Sequence, residues 1–488
     1  MLNDDGVQED FTHLLNEAKI QYLGSFNELN ITECLNRKLD LLVEGQLGIS
    51  DPLSISLVIP TKIDITEKMR EVELTAMRLV LSECSTLVDL GYIDEIIILD
   101  GSRDERGNAN YHVLNRVVET AYDALDLFKK QIQLLNDNKA QALMANRGFF
   151  NFILKTVHQS DPIIFEICKK FGRNITGLKR IPMGKGAALW LSIPLTRGDV
   201  VCFVDSDIMN FTKEFVIALC HPIIRRWHNS RSRIRMVKAC YHRLTLNVET
   251  IGPNYCFGGR VTRLFALPML RVLSKNNPTI FGGLNSLKYP LSGEFAIQRD
   301  LLEKLSFPND YSIELAMLKQ VAALVGFTST AQVDLKIFHH IGQSTTSLKR
   351  MVTQITHYII NVLEKEDDKF SESVWKRMVT EYKNEGEKLL SEYEEFFTTN
   401  TNIARDLNGK SSYSKEGDIE MFHEFYKLLD DAFSRTAHNQ QIVLPSWEEM
   451  SSKANYFVVS TLLRRRGNQS TFYRLKDTGL FYGLHAIQ

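Results

Sequence analysis

Apolar and polar positions along this chain fall into two alternating rhythms, and their succession predicts an α/β protein. The clearest segment is Gly198-Asp199-Val200-Val201-Cys202-Phe203-Val204-Asp205-Ser206-Asp207. Its apolar run, Val200 to Val204, predicts a strand buried on both faces of a mostly parallel sheet. The run stops on two carboxylates with one serine between them. Ligands of open α/β sheets sit beyond the carboxyl ends of the strands, so Asp205 and Asp207 lie where chemistry is expected.

The remaining pattern arranges itself around that strand. Residues 54–60 form a first strand that closes on Pro60, a residue unable to donate to a central ladder. Residues 66–90 carry Met69, Val72, Leu74, Met77, Val80, Leu81 and Leu87 at helical spacing, and residues 93–99 form a second strand ending at Asp100-Gly101-Ser102. Strand, helix and strand at this length make a βαβ unit. Helix formers dominate from Arg106 to about Gly172, predicting a helical insertion at about 105–175. Further elements are expected at 187–193 (helix), 236–241 (strand), 258–270 (helix), 289–296 (turn into strand), 313–325 (helix) and 331–338 (strand into His339 and His340). Residues 1–50 read as an N-terminal helical extension, on Phe11, Leu14, Leu15, Leu35, Leu39 and Leu42. Residues 51–348 then form the main α/β domain and residues 349–488 a charged, helical C-terminal region, broken by a polar stretch at 400–417.

Composition narrows the function. The 488 residues are 44% hydrophobic with a formal net charge of -1, which argues against nucleic acid as the main partner. Apolar runs fall short of the ~20 residues a membrane helix needs, and the acidic start does not read as a secretory signal. Seven scattered cysteines without a Cys-x-x-Cys pair suggest neither a disulfide framework nor a zinc site, and a reducing cytoplasm is the expected compartment.

Several short motifs carry candidate chemistry. Asp205 and Asp207 repel each other unless a cation intervenes, and hard oxygens suit Mg²⁺ or Mn²⁺ bridging a diphosphate; the alternative is a simple cap on the next turn. Gly184-Lys185-Gly186 precedes a helix and combines close backbone approach, a helix N-terminus and a cation. It lacks Walker A spacing, and a plain loop is the alternative. Gly258-Gly259-Arg260-Val261-Thr262 starts a helix with a guanidinium and a hydroxyl suited to phosphate or carboxylate, against a solvent-facing cap. Glu314 either caps its helix or holds a sugar hydroxyl. His340 either ligates a metal or is structural. The run Arg464-Arg465-Arg466 reads as a solvated face, with anion binding as the alternative, and the C-terminal region shows no cluster resembling a site.

In order, these motifs resemble a GT-A glycosyltransferase: Pro60 closing a βαβ start, Asp-Gly-Ser, Gly-Lys-Gly-x-Ala-Leu-Trp, then Gly-Asp-x-Val-x-Phe-x-Asp-Ser-Asp. Gly-Gly-Arg-Val-Thr, Pro-Leu-Ser-Gly-Glu-Phe-Ala, Tyr-Ser-Ile-Glu and Ala-Gln-Val-Asp-Leu…His narrow the resemblance to the glucosyl-3-phosphoglycerate synthase family, over roughly residues 54–350. It implies a Rossmann-like GT-A fold and retaining transfer of glucose from UDP-glucose to the 2-hydroxyl of 3-phosphoglycerate, with a divalent metal. The product, glucosyl-3-phosphoglycerate, would serve compatible-solute or polysaccharide-primer synthesis, and a cytoplasmic homodimer is implied. Pro60, Thr61, Lys62, Asp64 and Ser102 would hold the nucleoside. Lys185, Asp205 and Ser206 would also hold the donor nucleotide. Asp207 and His340 would ligate the metal. Gly259, Arg260, Thr262 and Tyr311 would hold the acceptor, and Glu314, Leu291 and Ser292 would border the reacting sugar carbon.

The chain departs from the family where Phe338 and Gln343 replace arginines and Gly342 replaces an asparagine. Arg263 and Lys349 are the candidate substitutes in the phosphate clamp. These departures keep two other readings open: a mannosyltransferase using GDP-mannose with glycerate or 3-phosphoglycerate, and a catalytically reduced nucleotide-sugar-binding regulatory protein.

Overall fold

The computed structural model describes residues 20–26, 30–46, 53–63, 66–127, 153–171, 180–228, 233–246, 254–400, 403, 410–436, 441–450 and 453–477. In chain order the principal elements are β1 (Gln21–Ser25), α1 (Ile31–Gln46), β2 (Ile55–Thr61), α2 (Glu67–Asp89), β3 (Glu95–Asp100), α3 (Tyr111–Ala124), β4 (Leu154–His158), α4 (Pro162–Phe171), α5 (Lys185–Ser192) and β5 (Val200–Phe203). They continue with α6 (Lys213–His228), β6 (Met236–Leu246), β7 (Asn254–Phe257), a π turn (Val261–Ala266) running into α7 (Leu267–Asn276), β8 (Phe295–Gln298), β9 (Phe307–Pro308), α8 (Ile313–Val325) and β10 (Thr330–His340). The C-terminal part holds α9 (Thr345–Glu366), α10 (Glu372–Thr399), β11 (Lys410–Ser412), α11 (Lys415–Asp430), β12 (Val443–Leu444) and α12 (Lys453–Asp477).

These elements form two compact units, each discontinuous in sequence. One comprises Leu29–Asn229, Glu294–Asn309 and Val443–Gln488. Its sheet runs β8-β5-β2-β3-β4 and is parallel except for β8 against β5. The apolar runs behave as expected: every residue of β3 and β5 is buried, as is all of β2 except Pro60. Register places Thr61 opposite Asp100 and Val58 opposite Phe203, so the segments after β2, β3 and β5 leave from one edge. Helices cover the strands, as the α/β reading requires. The second unit comprises Met1–Glu28, Ser230–Gly293 and Asp310–Ile442. There β1 and β6 lie parallel to β10 on either side of it, β7 runs antiparallel to β6, and β11 pairs with β7. No described helix is long and apolar enough to cross a membrane.

Three local expectations are corrected. The N-terminal extension contains strand β1 beside its helix α1; Phe11, Leu14 and Leu15 lie outside the described residues. The insertion is not wholly helical, because β4 occupies its end and completes the first sheet. This strand, Leu-Lys-Thr-Val-His, is buried throughout, and its charges disguise it. Lys155, 2% exposed, pairs with Glu95, 1% exposed, which also accepts from Ser56 Oγ at 2.6 Å. Burial alone would raise the Glu95 carboxyl, but Lys155 and Arg197 hold it down at about 2.

The arginine run is not a solvated face throughout. Arg466 donates to Asp161 at 2.8 and 3.0 Å, and Arg464 donates to the Thr196 carbonyl at 2.6 Å. Arg465 alone of the three is exposed. On the same helix, Thr471 Oγ1 accepts the Thr156 N–H of β4 at 2.8 Å. Helix α12 therefore packs on β4 and satisfies part of its backbone, which blunts the edge strand.

Candidate active site

In the first unit the expected nucleotide residues gather at the carboxyl ends of β2, β3 and β5. Asp100 organises the loops there. Its Oδ1 accepts from Thr61 Oγ1 at 3.0 Å, from Ser102 Oγ at 2.5 Å and from Ser102 N at 3.2 Å. Ser102 Oγ in turn accepts the Ile63 N–H at 2.9 Å. Burial pushes the Asp100 carboxyl up, against the hydrogen bonds from Ser102, the nearby His158 ring and the Thr61 hydroxyl. Ser102 is fully buried, so its hydroxyl tethers the loop after β2 and sets the position of Thr61 and Lys62. Pro60 is half-buried and Lys62 exposed; Asp64 lies outside the described residues.

Gly186 of the glycine-lysine motif also meets a packing constraint. A Cβ on Gly186 would stand 1.8 Å from the Pro308 carbonyl oxygen, so this glycine permits α5 to pack on the β9 backbone. Gln159 Nε2 donates to the Pro182 and Gly184 carbonyls at 3.3 and 2.9 Å and holds the preceding loop. Lys185, at the first position of α5, points its ammonium to Asp205, with Nζ 3.2 and 3.3 Å from the two carboxylate oxygens. Two motifs 20 residues apart thus converge on one ion pair. Ser206 is buried and Asp207 half-buried on the turn that follows β5.

In the second unit, Gly259 has φ +70°, and a Cβ there would lie 2.7 Å from the Tyr289 hydroxyl. Both the left-handed backbone and the close ring demand glycine. Arg260 Nε donates to Asp418 Oδ1 at 3.3 Å; Arg263 donates to both Asp418 oxygens at 2.7 and 3.3 Å and to the Gly258 carbonyl at 2.9 Å. Thr262 is buried in the π turn. The C-terminal region, expected to hold no cluster resembling a site, supplies this carboxylate. Arg263 also lines a cavity of about 380 Å³ walled by Tyr241, Phe257, Tyr289, Tyr393, Phe396 and Phe397.

Both proposed replacements for the missing arginines are engaged: Arg263 as described, and Lys349 with Glu424. Gly342 lies against Thr245, whose methyl would sit 2.6 Å from an added Cβ. Ser292 is fully buried; its carbonyl accepts from the buried Lys238 ammonium, while its hydroxyl has no hydrogen-bond partner among the described residues. Leu291 beside it is half-buried. Tyr311 N–H donates to Gln354 Oε1 at 3.3 Å, and Glu314 is buried in the first turn of α8. His340 is buried at the end of β10, opposite Thr245 of β6. Next to it, burial lowers the His339 imidazole to about 4. Asp418, Gln159 and Lys238 were not singled out in the sequence, and no local motif marks them.

No family model matches the chain. Curated proteins do. A glucosyl-3-phosphoglycerate synthase of Petrotoga mobilis is 36% identical over 182 residues, 37% of this chain and 52% of that protein. One of Mycobacterium tuberculosis is 35% identical over 182 residues, 36% and 52% respectively. One of Methanococcoides burtonii is 30% identical over 240 residues, 47% and 56%. The chain spans about half the length of the curated relatives it matches. Among solved structures, the M. tuberculosis synthase with Mn²⁺, UDP and phosphoglyceric acid aligns at TM-score 0.46 and 24% identity, covering 73% of this chain and 89% of that one. The same enzyme with Mg²⁺ and UDP aligns at 0.43 and 25%, covering 66% and 82%. The curated relatives bear out the resemblance expected from the order of motifs.

Proposed function

We propose that this chain, a relative of the glucosyl-3-phosphoglycerate synthases, is a metal-dependent retaining glycosyltransferase. It would move glucose from UDP-glucose to the 2-hydroxyl of 3-phosphoglycerate, supplying glucosyl-3-phosphoglycerate for compatible-solute or polysaccharide-primer synthesis. The observation that carries this reading is the 36% identity over 182 residues to a curated synthase. The convergence of Lys185 on Asp205 at the edge of the parallel sheet supports it. A cytoplasmic homodimer completes the proposal.

By its donor chemistry the Asp207 carboxylate suits a hard cation such as Mg²⁺ or Mn²⁺. Among the described residues, no group of three or more His, Cys, Asp or Glu side chains is arranged to hold a metal. Asp207 and His340 are the residues this reading names to hold the ion. The bound ion would stabilise the departing diphosphate as a Lewis acid. Lys185 supplies a second positive charge to the same leaving group, a term of ~3 kcal/mol for a well-placed donor. Thr61 and Lys62 hold the nucleoside on a loop that Ser102 and Asp100 keep in place. Gly259 N–H, Arg260 and Thr262 bind the acceptor's anionic end, with Tyr311 beside it. Leu291, Ser292 and Glu314 border the sugar, and the acceptor hydroxyl attacks from the face the phosphate leaves, passing its proton to the phosphate oxygen.

The test is nucleotide release in the presence of Mg²⁺, with UDP-glucose or GDP-mannose offered against 3-phosphoglycerate or glycerate. Release with UDP-glucose and 3-phosphoglycerate alone supports the proposal, whereas release with GDP-mannose favours the mannosyl alternative. Tight nucleotide binding without release from any pair favours a regulatory binding protein, a reading to which the engagement of Arg263 and Lys349 lends weight. Asp207→Ala should abolish metal-dependent release with the fold intact; near-wild-type turnover would remove Asp207 from the metal site.

A further inference from the structure

We propose that Asp418, in the first turns of α11, is a positioning residue that orients Arg260 toward the acceptor's anionic group. The inference rests on the reading of Arg260 as the acceptor-binding cation. Asp418 is 2% exposed and Arg263 9%, while Arg260 keeps 33% of its side chain exposed. The more buried arginine is fastened on several sides. Its two amino groups reach both Asp418 oxygens, its Nε reaches the Gly258 carbonyl, and its guanidinium lies 5.0 and 5.2 Å from the Tyr393 and Phe397 ring centres. It braces the turn from behind.

Arg260 meets the same carboxylate through Nε alone, at 3.3 Å. A guanidinium carries five N–H donors in a planar fork, so this contact uses one and fixes the plane of the two amino groups. Two cations against one carboxylate leave one unit of positive charge at the turn, suited to an incoming phosphate or carboxylate. The start of α11 is built to deliver Asp418. Ser414 Oγ caps the helix by accepting the Gly417 N–H at 3.0 Å. A Cβ on Gly417 would stand 3.0 Å from Ser414 Oγ, and at an ordinary contact distance of 3.6 Å from Arg260 Nη2, so the helix start lies directly against the Arg260 guanidinium. Replacing Asp418 with a neutral group would leave two like charges facing each other with nothing to set the Arg260 plane.

Steady-state kinetics with UDP-glucose, 3-phosphoglycerate and Mg²⁺ test this on Asp418→Asn, Ser414→Ala and Arg260→Ala, with UDP binding measured by calorimetry. Asp418→Asn should raise the acceptor KM about tenfold or more while donor KM and UDP affinity stay within about twofold. Asp418→Glu, which retains the charge, should recover part of the loss. If Asp418→Asn fails to fold, Ser414→Ala decides, with a smaller rise confined to the acceptor KM. An unchanged acceptor KM beside an elevated one in Arg260→Ala would overturn the positioning role alone. Equal rises in donor and acceptor KM would show a merely structural role and overturn it too. If Arg260→Ala also leaves the acceptor KM unchanged, the acceptor reading of Arg260 falls, and this inference with it.

Discussion

Lys185→Ala tests the leaving-group role most directly. In the structure the Lys185 ammonium sits 3.2 Å from Asp205, with the two side chains 19% and 26% exposed. An ion pair this open to solvent contributes up to about 1 kcal/mol net. To serve a departing diphosphate, the ammonium must give up that interaction and gain the ~3 kcal/mol of a well-placed charged donor in the transition state. The difference is about 2 kcal/mol, or roughly a thirtyfold loss of kcat on truncation. Loss of the weak ground-state pair should leave thermal stability nearly unchanged. The measurement is nucleotide release at saturating UDP-glucose and 3-phosphoglycerate, beside a melting curve. A kcat within threefold of wild type, or an effect confined to the donor KM, would show that Lys185 does not stabilise the leaving group.

Two further outcomes follow from the same unit. Gly186→Ala places a methyl carbon 1.8 Å from a backbone oxygen that cannot swing away. It should cost at least the 1–3 kcal/mol typical of overpacking, visible as a lower melting temperature together with reduced nucleotide release. Glu95 has its folded pKa depressed to about 2 from 4.5. The Glu95 share, of order 3 kcal/mol and offset in part because burial lowers the Lys155 ammonium, is fully present above the unfolded pKa and is lost as pH falls from about 4.5 toward 2. In Lys155→Met, melting curves across this range should show destabilisation at neutral pH that narrows as acid protonates Glu95. A constant gap would mean the pair does not set that carboxyl.

Much of the candidate site was legible because its residues sit at the ends of strongly patterned elements. The run Val200 to Val204 marks a doubly buried strand, and Asp205 and Asp207 follow from where it stops. The helix at 313–325 and the strand ending at His340 were equally plain, since burial writes an apolar rhythm into the chain. Strand β4 escaped because Lys155 and His158 look solvated until Glu95 and the Ser102 carbonyl are found beside them. The arginine run misled in the opposite direction: Arg464 and Arg466 find buried acceptors in Thr196 and Asp161. The packing constraint on Gly186 comes from the Pro308 carbonyl, 122 residues away in the chain, which no local pattern displays.

By itself the sequence determined most of the strands and helices, β1 and β4 excepted, and which carboxylates, cations and glycines stand at their ends, because period and polarity are local properties. Tertiary structure alone decided how charges far apart in the chain are shared. Asp418 lies 155 residues from Arg263, and Glu95 lies 60 from Lys155. Whether a charged group is a solvated surface feature or part of a buried pair depends on what packs against it, and that depends on distance in space.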